Sequence, residues 1–276
     1  MALSRVEFFS DSLKRVVTFF IYLPNDTTEE FTAGNPNYER ETKTLYLLHG
    51  YTGSASDWVI GSNAMEVSRF YNVAIVMPSG ENSFYIDRRG TGNAYETFVA
   101  KELPQYIAKT YRLPQEKENV TIGGLSMGGY GALRLGIKYN ERFGAAFGLS
   151  SALIIKNLKE TYLKEGTVEN MLGDYDYYRQ IFGDMDEILE KDVNLEYLVQ
   201  QKLNAGEALP RLFMACGTED SLVDNSRDFR DFLLNLKADL IYYESAGIHS
   251  WKFWNEYLEP AVRWAIGAKE SDAYLS

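Results

Sequence analysis

The chain holds 276 residues, 45% hydrophobic and 24% charged, the proportions of a globular protein and not of a disordered or fibrous one. A net charge of -11 sets it against nucleic acid and anionic membrane surfaces as partners. One cysteine, Cys216, excludes an internal disulfide framework and fits a reducing compartment. With no apolar leader and no run near the roughly 18 residues a bilayer span needs, a cytoplasmic protein is expected, its oligomeric state open.

Residues 5–9 and 14–23 read as strands joined by the hairpin-sized turn Ser10-Asp11-Ser12, an antiparallel pair of the kind that edges a parallel sheet. The polar stretch 25–41, with Gly34 and Pro36, reads as a surface loop. Residues 44–48 are almost unbroken apolar, which suits a central strand covered on both faces, and they stop at His49-Gly50-Tyr51-Thr52-Gly53. Another buried-type strand spans 73–77, and a long polar loop follows over 78–93. Phe98, Val99, Leu103 and Ile107 recur at helical spacing and predict a helix over 96–111, kinked at Pro104. A short β-branched strand at 119–122 then meets the pentapeptide Gly124-Leu125-Ser126-Met127-Gly128, a helix over 130–139 and a strand at 145–149.

Residues 150–206 break this alternation. The stretch is acidic and carries Tyr162, Met171, Tyr175, Tyr177, Tyr178 and Met185, which suggests a helical insert with one apolar face, of the sort that caps an active site; a solvated helical excursion is the plainer reading. Alternation resumes with a strand at 211–216, a helix at 226–236, a strand at 240–244 and a closing helix at 253–266. No repeat or linker divides the chain. The expectation is one α/β domain over 1–276 with the insert at 150–206: a mostly parallel central sheet with helices on both faces. In such sheets the chemistry sits beyond the carboxyl ends of the strands.

A serine between two glycines, with a strand before it and a helix after it, is the nucleophile elbow of the α/β-hydrolase fold. The serine must take an unfavourable backbone conformation, and only residues without a β-carbon can pass so close to it. Its hydroxyl needs a base, and the chain offers two histidines. The order Ser, acid, His selects His249, which follows the last strand; His49 is expected to be structural, bonded within its own loop. Asp220, just past the 211–216 strand, is the acid the chain order favours, with Glu219 and Asp224 as neighbours that could be mistaken for it. The oxyanion would rest on the amides of Met127 and, from the loop after the 44–48 strand, Tyr51. Phe84 and Tyr85, with the 150–206 insert, are candidate walls of the acyl pocket. Cys216 reads as a small buried hydrophobe, and Gly90-Thr91-Gly92 as a loop and not a phosphate cradle. No cluster has ligand spacing, so neither metal nor cofactor is expected.

These motifs together resemble the esterase D-like group. The likeness is carried by Tyr46-Leu47-Leu48-His49-Gly50 with Gly53 and Asp57-Trp58, by Gly124 through Ala132, by Cys216-Gly217 with Asp220, and by His249-Ser250-Trp251. That group includes short-chain (tributyrin-type) carboxylesterases, feruloyl and acetylxylan esterases of carbohydrate esterase family 1, and S-formylglutathione hydrolases, with the mycolyltransferases as distant members. The resemblance implies a Ser126, Asp220, His249 triad and an oxyanion hole of the Tyr51 and Met127 amides. The formylglutathione branch usually lacks the His-Gly pair found here, which weighs against it. The expectation is a serine carboxylesterase acting on a small-molecule ester of short acyl or hydroxycinnamoyl type. Its rivals are an acyltransferase or S-formylglutathione hydrolase using the same triad, and a non-catalytic binding protein on the same scaffold, against which a complete, correctly ordered triad weighs.

Overall fold

A computed structural model describes residues 1–88, 90–161 and 173–269. The chain opens on an antiparallel hairpin, Ala2–Ser10 (β1) and Arg15–Leu23 (β2). A single helical turn, Glu29–Thr32 (α1), and a 3-10 turn at Pro36–Tyr38 then interrupt the stretch expected to be plain loop. Lys43–Leu48 (β3), the helices Asp57–Gly61 (α2) and Ala64–Tyr71 (α3), and Val73–Pro78 (β4) follow. The loop after β4 folds into the small ribbon Asp87–Arg88 (β5) and Asn93–Ala94 (β6). The helical stretch that comes next is Tyr95–Thr97 (α4), a π turn at Phe98–Glu102, and Leu103–Tyr111 (α5). Pro104 was expected to kink this helix. It stands in the first turn of α5, directly after the π turn, and both features are of the kind that bends a helix.

Val120–Leu125 (β7), Met127–Lys138 (α6) and Ala145–Leu149 (β8) form the centre of the molecule. Among the described residues three α-helices follow: Ile155–Thr161 (α7), Tyr175–Phe182 (α8) and Leu195–Asn204 (α9). Two residues singled out from the sequence, Tyr162 and Met171, lie outside the described residues. The chain closes with Arg211–Gly217 (β9), Val223–Asn235 (α10), Leu240–Ser245 (β10) and Trp251–Ile266 (α11).

Eight strands make one sheet in the order β1-β2-β4-β3-β7-β8-β9-β10, parallel from β4 to β10, with β2 antiparallel to both its neighbours, β1 and β4. Strand burial explains the sequence pattern. β1 alternates half-buried and exposed positions, whereas β4, β7 and β8 are buried throughout and read as unbroken apolar runs. Successive side chains still point to opposite faces. Tyr46 and Leu48 of β3 join a core with Leu103 and Ile107 of α5 and Leu133 and Ile137 of α6; Leu45 and Leu47 join a second core with Val67 of α3 and Leu258 of α11. The sheet is therefore covered on both faces.

The chain leaves β3 for β4 on one side and later returns to place β7 on the other, so β3 and β7 flank the point where strand order reverses. Ligands bind beyond the carboxyl ends of strands at such points. Helix α6, which begins there, is anchored by a buried ion cluster. Arg134 bonds Glu96 at 2.6 Å and Asp192 at 2.7 Å, while Lys138 reaches Glu96 at 2.6 Å. Burial alone would weaken the Arg134 charge, but the two carboxylates outweigh it and raise its pKa. Among the described residues no helix is long and apolar enough to cross a membrane.

Candidate active site

The chain passes from β7 to α6 through one residue. Ser126 has φ 53° and ψ -118°, a region that costs a non-glycine residue on the order of 1–3 kcal/mol. Its backbone is held from both sides: the N–H donates to Leu149 O at 2.9 Å, and the carbonyl accepts from Tyr130 N at 3.0 Å and Ala152 N at 2.9 Å. The flanking glycines are required by contact. A β-carbon on Gly124 would lie 2.4 Å from Gly128 O, and one on Gly128 would lie 2.2 Å from Leu48 O. Both collisions are with backbone, which cannot swing aside. The helix starts at Met127 and not at residue 130 as the glycine-rich sequence suggested. Met127 N–H thus belongs to the first turn, has no acceptor within the helix, and lies at its positive end.

Beyond β9 and β10 the chain brings a carboxylate and an imidazole together. Asp220 is buried, and His249 Nδ1 lies 2.9 Å from its Oδ2. Asp220 Oδ1 accepts from Leu222 N–H at 2.9 Å. Burial pushes this carboxyl up, but the bonds from His249 and Leu222 outweigh it and hold its pKa below the ordinary value. The His249 ring stands edge-on to Trp254, with centroids 5.0 Å apart. Of the three acids weighed from the sequence, only Asp220 meets the ring. Asp224 pairs with Arg227 at 3.0 Å. Glu219 braces the histidine loop: its N–H donates to Gly247 O at 3.0 Å and its carboxylate accepts from Gly247 N–H at 2.5 Å. Ser126 ends β7, two strand spacings or about 10 Å from β9, and the imidazole has to span that gap. Among the described residues no hydrogen bond joins Ser126 Oγ to the ring; such bonds often tighten only around a substrate.

His49, after β3, has a different setting. It is buried, and both ring nitrogens are engaged by backbone: Nδ1 lies 2.7 Å from Gly50 O, and Nε2 accepts from Gly80 N–H at 2.8 Å. Because Nε2 accepts, Nδ1 carries the proton and donates it to Gly50 O. Burial lowers the ring's pKa, against smaller opposing effects of Gly50 and Asp57, and keeps it neutral. The consequence reaches Tyr51. A trans peptide points its C=O and N–H in opposite directions, so a Gly50 carbonyl held towards the histidine turns the Tyr51 N–H away from it. Trp58 steadies the same loop from the core, donating its indole N–H to Leu48 O at 3.0 Å.

Phe84 and Tyr85 do not line an open surface. Both are buried, at 2% and 0% exposure. Phe84 packs its ring against Tyr130 and Phe182, and Tyr85 donates its hydroxyl to His49 O at 3.0 Å. Phe84 thus packs within the core, and Tyr85 holds the His49 carbonyl. Cys216 is buried too, its pKa pushed up to about 11 chiefly by that burial. Glycines 90 and 92 turn the β5-β6 ribbon with φ of 77° and 69°. The brace made by Glu219 escaped the sequence because its partner is a backbone group, which leaves no side-chain signature.

The Esterase family model matches residues 10–204. An acetyl esterase of Caldicellulosiruptor saccharolyticus is 40% identical over 264 residues, which is 96% of this chain and 98% of that protein. Among solved structures, fluorophosphonate-binding serine hydrolase F of Staphylococcus aureus superposes with a TM-score of 0.81 at 21% identity, over 96% of this chain and 98% of that one. S-formylglutathione hydrolase of the same organism reaches 0.79 at 21% identity, over 96% and 100%. The two structures attest the shared fold.

Proposed function

The chain belongs to the Esterase family, and on that footing we propose that it is a serine carboxylesterase that hydrolyses short-acyl esters through an acyl-enzyme on Ser126. One observation carries the reading. A buried Asp220 carboxylate meets His249 Nδ1 at 2.9 Å on the edge of the sheet where a strained Ser126 opens α6.

His249 Nε2 takes the Ser126 proton as Oγ attacks the ester carbonyl, while Asp220 fixes the ring's tautomer and stabilises the imidazolium. The amides of Met127 and Tyr51 receive the oxyanion, the second aimed by His49. His249 then protonates the departing alkoxide, and water repeats the sequence on the acyl-enzyme. A short acyl group is supported by the acetyl esterase relative, which matches nearly end to end. The substrate is a small-molecule ester, and α7, α8 and α9, between β8 and β9, act as an insert on a single domain.

The test is a panel of p-nitrophenyl esters from acetate to decanoate, with methyl ferulate beside it. The expected result is the highest kcat/KM on acetyl or butyryl esters, with labelling of Ser126 by a fluorophosphonate. A preference for octanoyl or decanoyl esters overturns the short-acyl reading, and labelling of any other residue overturns the mechanism.

A further inference from the structure

The loop after β4 carries an unusual concentration of strain. Glu81, Phe84 and Tyr85 all take left-handed φ, at 46°, 51° and 56°, and none is glycine. Such backbone persists only where the surroundings over-determine it, and it gathers at functional sites. Internal bonds hold the loop: Ser83 Oγ donates to Gly80 O at 2.6 Å and accepts from Tyr85 N–H at 3.0 Å. Between the left-handed residues stands Asn82, and its two oxygens face two different elements. Its side-chain Oδ1 accepts from Thr52 N–H at 2.8 Å. Its main-chain oxygen accepts from the Tyr177 hydroxyl at 2.7 Å.

Each partner bears on the candidate oxyanion hole. Thr52 follows Tyr51 directly and is itself left-handed at φ 61°. Its pinned N–H belongs to the peptide C-terminal to Tyr51, as the Gly50 carbonyl belongs to the peptide N-terminal to it. Tyr177 comes from α8, where Asp174 caps its N–H at 2.8 Å. Its ring meets the Tyr51 ring edge-on at 5.8 Å.

We propose that Asn82 and Tyr177 are positioning residues that form a strut from α8 to the oxyanion loop, so that the docking of α8 sets the aim of the Tyr51 amide. His49 fixes the peptide before Tyr51 and the strut fixes the peptide after it. An amide held on both sides does not reorganise as charge develops on the carbonyl oxygen, which is how such donors act. The inference rests on the reading of Tyr51 as an oxyanion donor. It extends that reading to two side chains that touch neither the reacting serine nor the general base.

The strut lies at an exposed rim, where water can replace a lost bond, so its removal costs less than loss of an oxyanion donor. Asn82→Ala is expected to lower kcat on p-nitrophenyl acetate roughly 10-fold and Tyr177→Phe roughly 3-fold, with KM changed less than about 2-fold. A trifluoromethyl ketone, which adds to the serine and bears an oxyanion, should lose affinity in both variants by the same factors. In the double variant the Tyr177 effect should shrink, because the link to Thr52 is already cut. Unchanged kcat and ketone affinity in both variants of an active enzyme overturn the strut, as does a fall in Tm alone. So does a KM that rises at constant kcat, which would make α8 a substrate-binding element. A wild-type protein that neither hydrolyses the ester nor is labelled at Ser126 marks a different failure, that of the esterase reading, and the strut falls with it.

Discussion

The two histidines stand at the same edge of the sheet in opposite conditions. His49 is 1% exposed, and both its nitrogens are occupied by the backbone of Gly50 and Gly80. The His249 side chain is 34% exposed, and among the described residues its only hydrogen bond joins Nδ1 to Asp220. A general base needs one nitrogen oriented and the other vacant, and a ring with both nitrogens spoken for can only hold something in place. The difference supports the proposed division, with proton transfer at His249 and alignment at His49. It also shows why burial and partner count discriminate better than residue type.

The largest effects should fall on the proton-transfer side. Ser126→Ala and His249→Gln are each expected to lower kcat by ~10⁴-fold or more on p-nitrophenyl acetate, and their double variant should be little worse than either, because triad members act as a unit. Asp220→Asn should approach the same loss by fixing the wrong tautomer of His249. Steady-state kinetics check all four. A His249→Gln enzyme with a tenth of wild-type turnover would remove that residue from the mechanism and dissolve the contrast.

His49→Gln belongs to the next tier. It frees the Gly50 carbonyl, and with it the Tyr51 amide, so the expected loss is on the order of 10²- to 10³-fold in kcat with KM little changed. If this variant proves as inactive as Ser126→Ala while His249→Gln stays active, the two roles are exchanged.

What the sequence made legible follows from how each feature is encoded. The elbow was readable because its glycines answer to steric contacts that no other residue survives. Asp220 and His249 were readable from chain order on a recognisable fold. Strand positions came through because central parallel strands are apolar on both faces. The helices α2 and α3 carry no comparable punctuation, although Ala64, Val67 and Tyr71 recur on one buried face. Phe84 and Tyr85 are buried, and an aromatic loop reads alike whether it lines a cleft or plugs a core. The bonds that hold the Gly50-Tyr51-Thr52 loop go to main-chain groups of Gly50, Gly80 and Thr52, and backbone partners are invisible in a sequence.

A smaller effect sharpens the contrast at His249 itself. Glu219 grips Gly247 through both its N–H and its carboxylate, two residues before the imidazole. Its pKa is lowered by bonds from Thr218 and Gly247, so it stays ionised across the assay range. Glu219→Ala should reduce kcat roughly 10-fold by loosening the loop, and Glu219→Gln, which keeps an acceptor, should recover most of it. Equal losses in the two variants would mean that charge, and not the bond, is what Glu219 supplies.

The smallest expected effect is on stability and tests His49 alone. Burial lowers its pKa in the folded protein, so the unfolded chain binds a proton more readily there. Stability rises with pH wherever the unfolded state holds more protons. The His49 contribution is therefore complete above the unfolded value of about 6.5 and declines as pH falls from there towards the lowered folded value. Protonating Nε2 would also turn the Gly80 N–H from donor to clash, since two donors would then face each other. Melting temperature measured between pH 7.5 and 5 should thus fall more steeply for the wild type than for His49→Gln, which has no proton to gain in that window. His249→Gln should keep the wild-type sensitivity that arises at His49. Parallel curves for wild type and His49→Gln would mean that His49 is not held neutral by burial, and its two backbone bonds would no longer account for the aim of the Tyr51 amide.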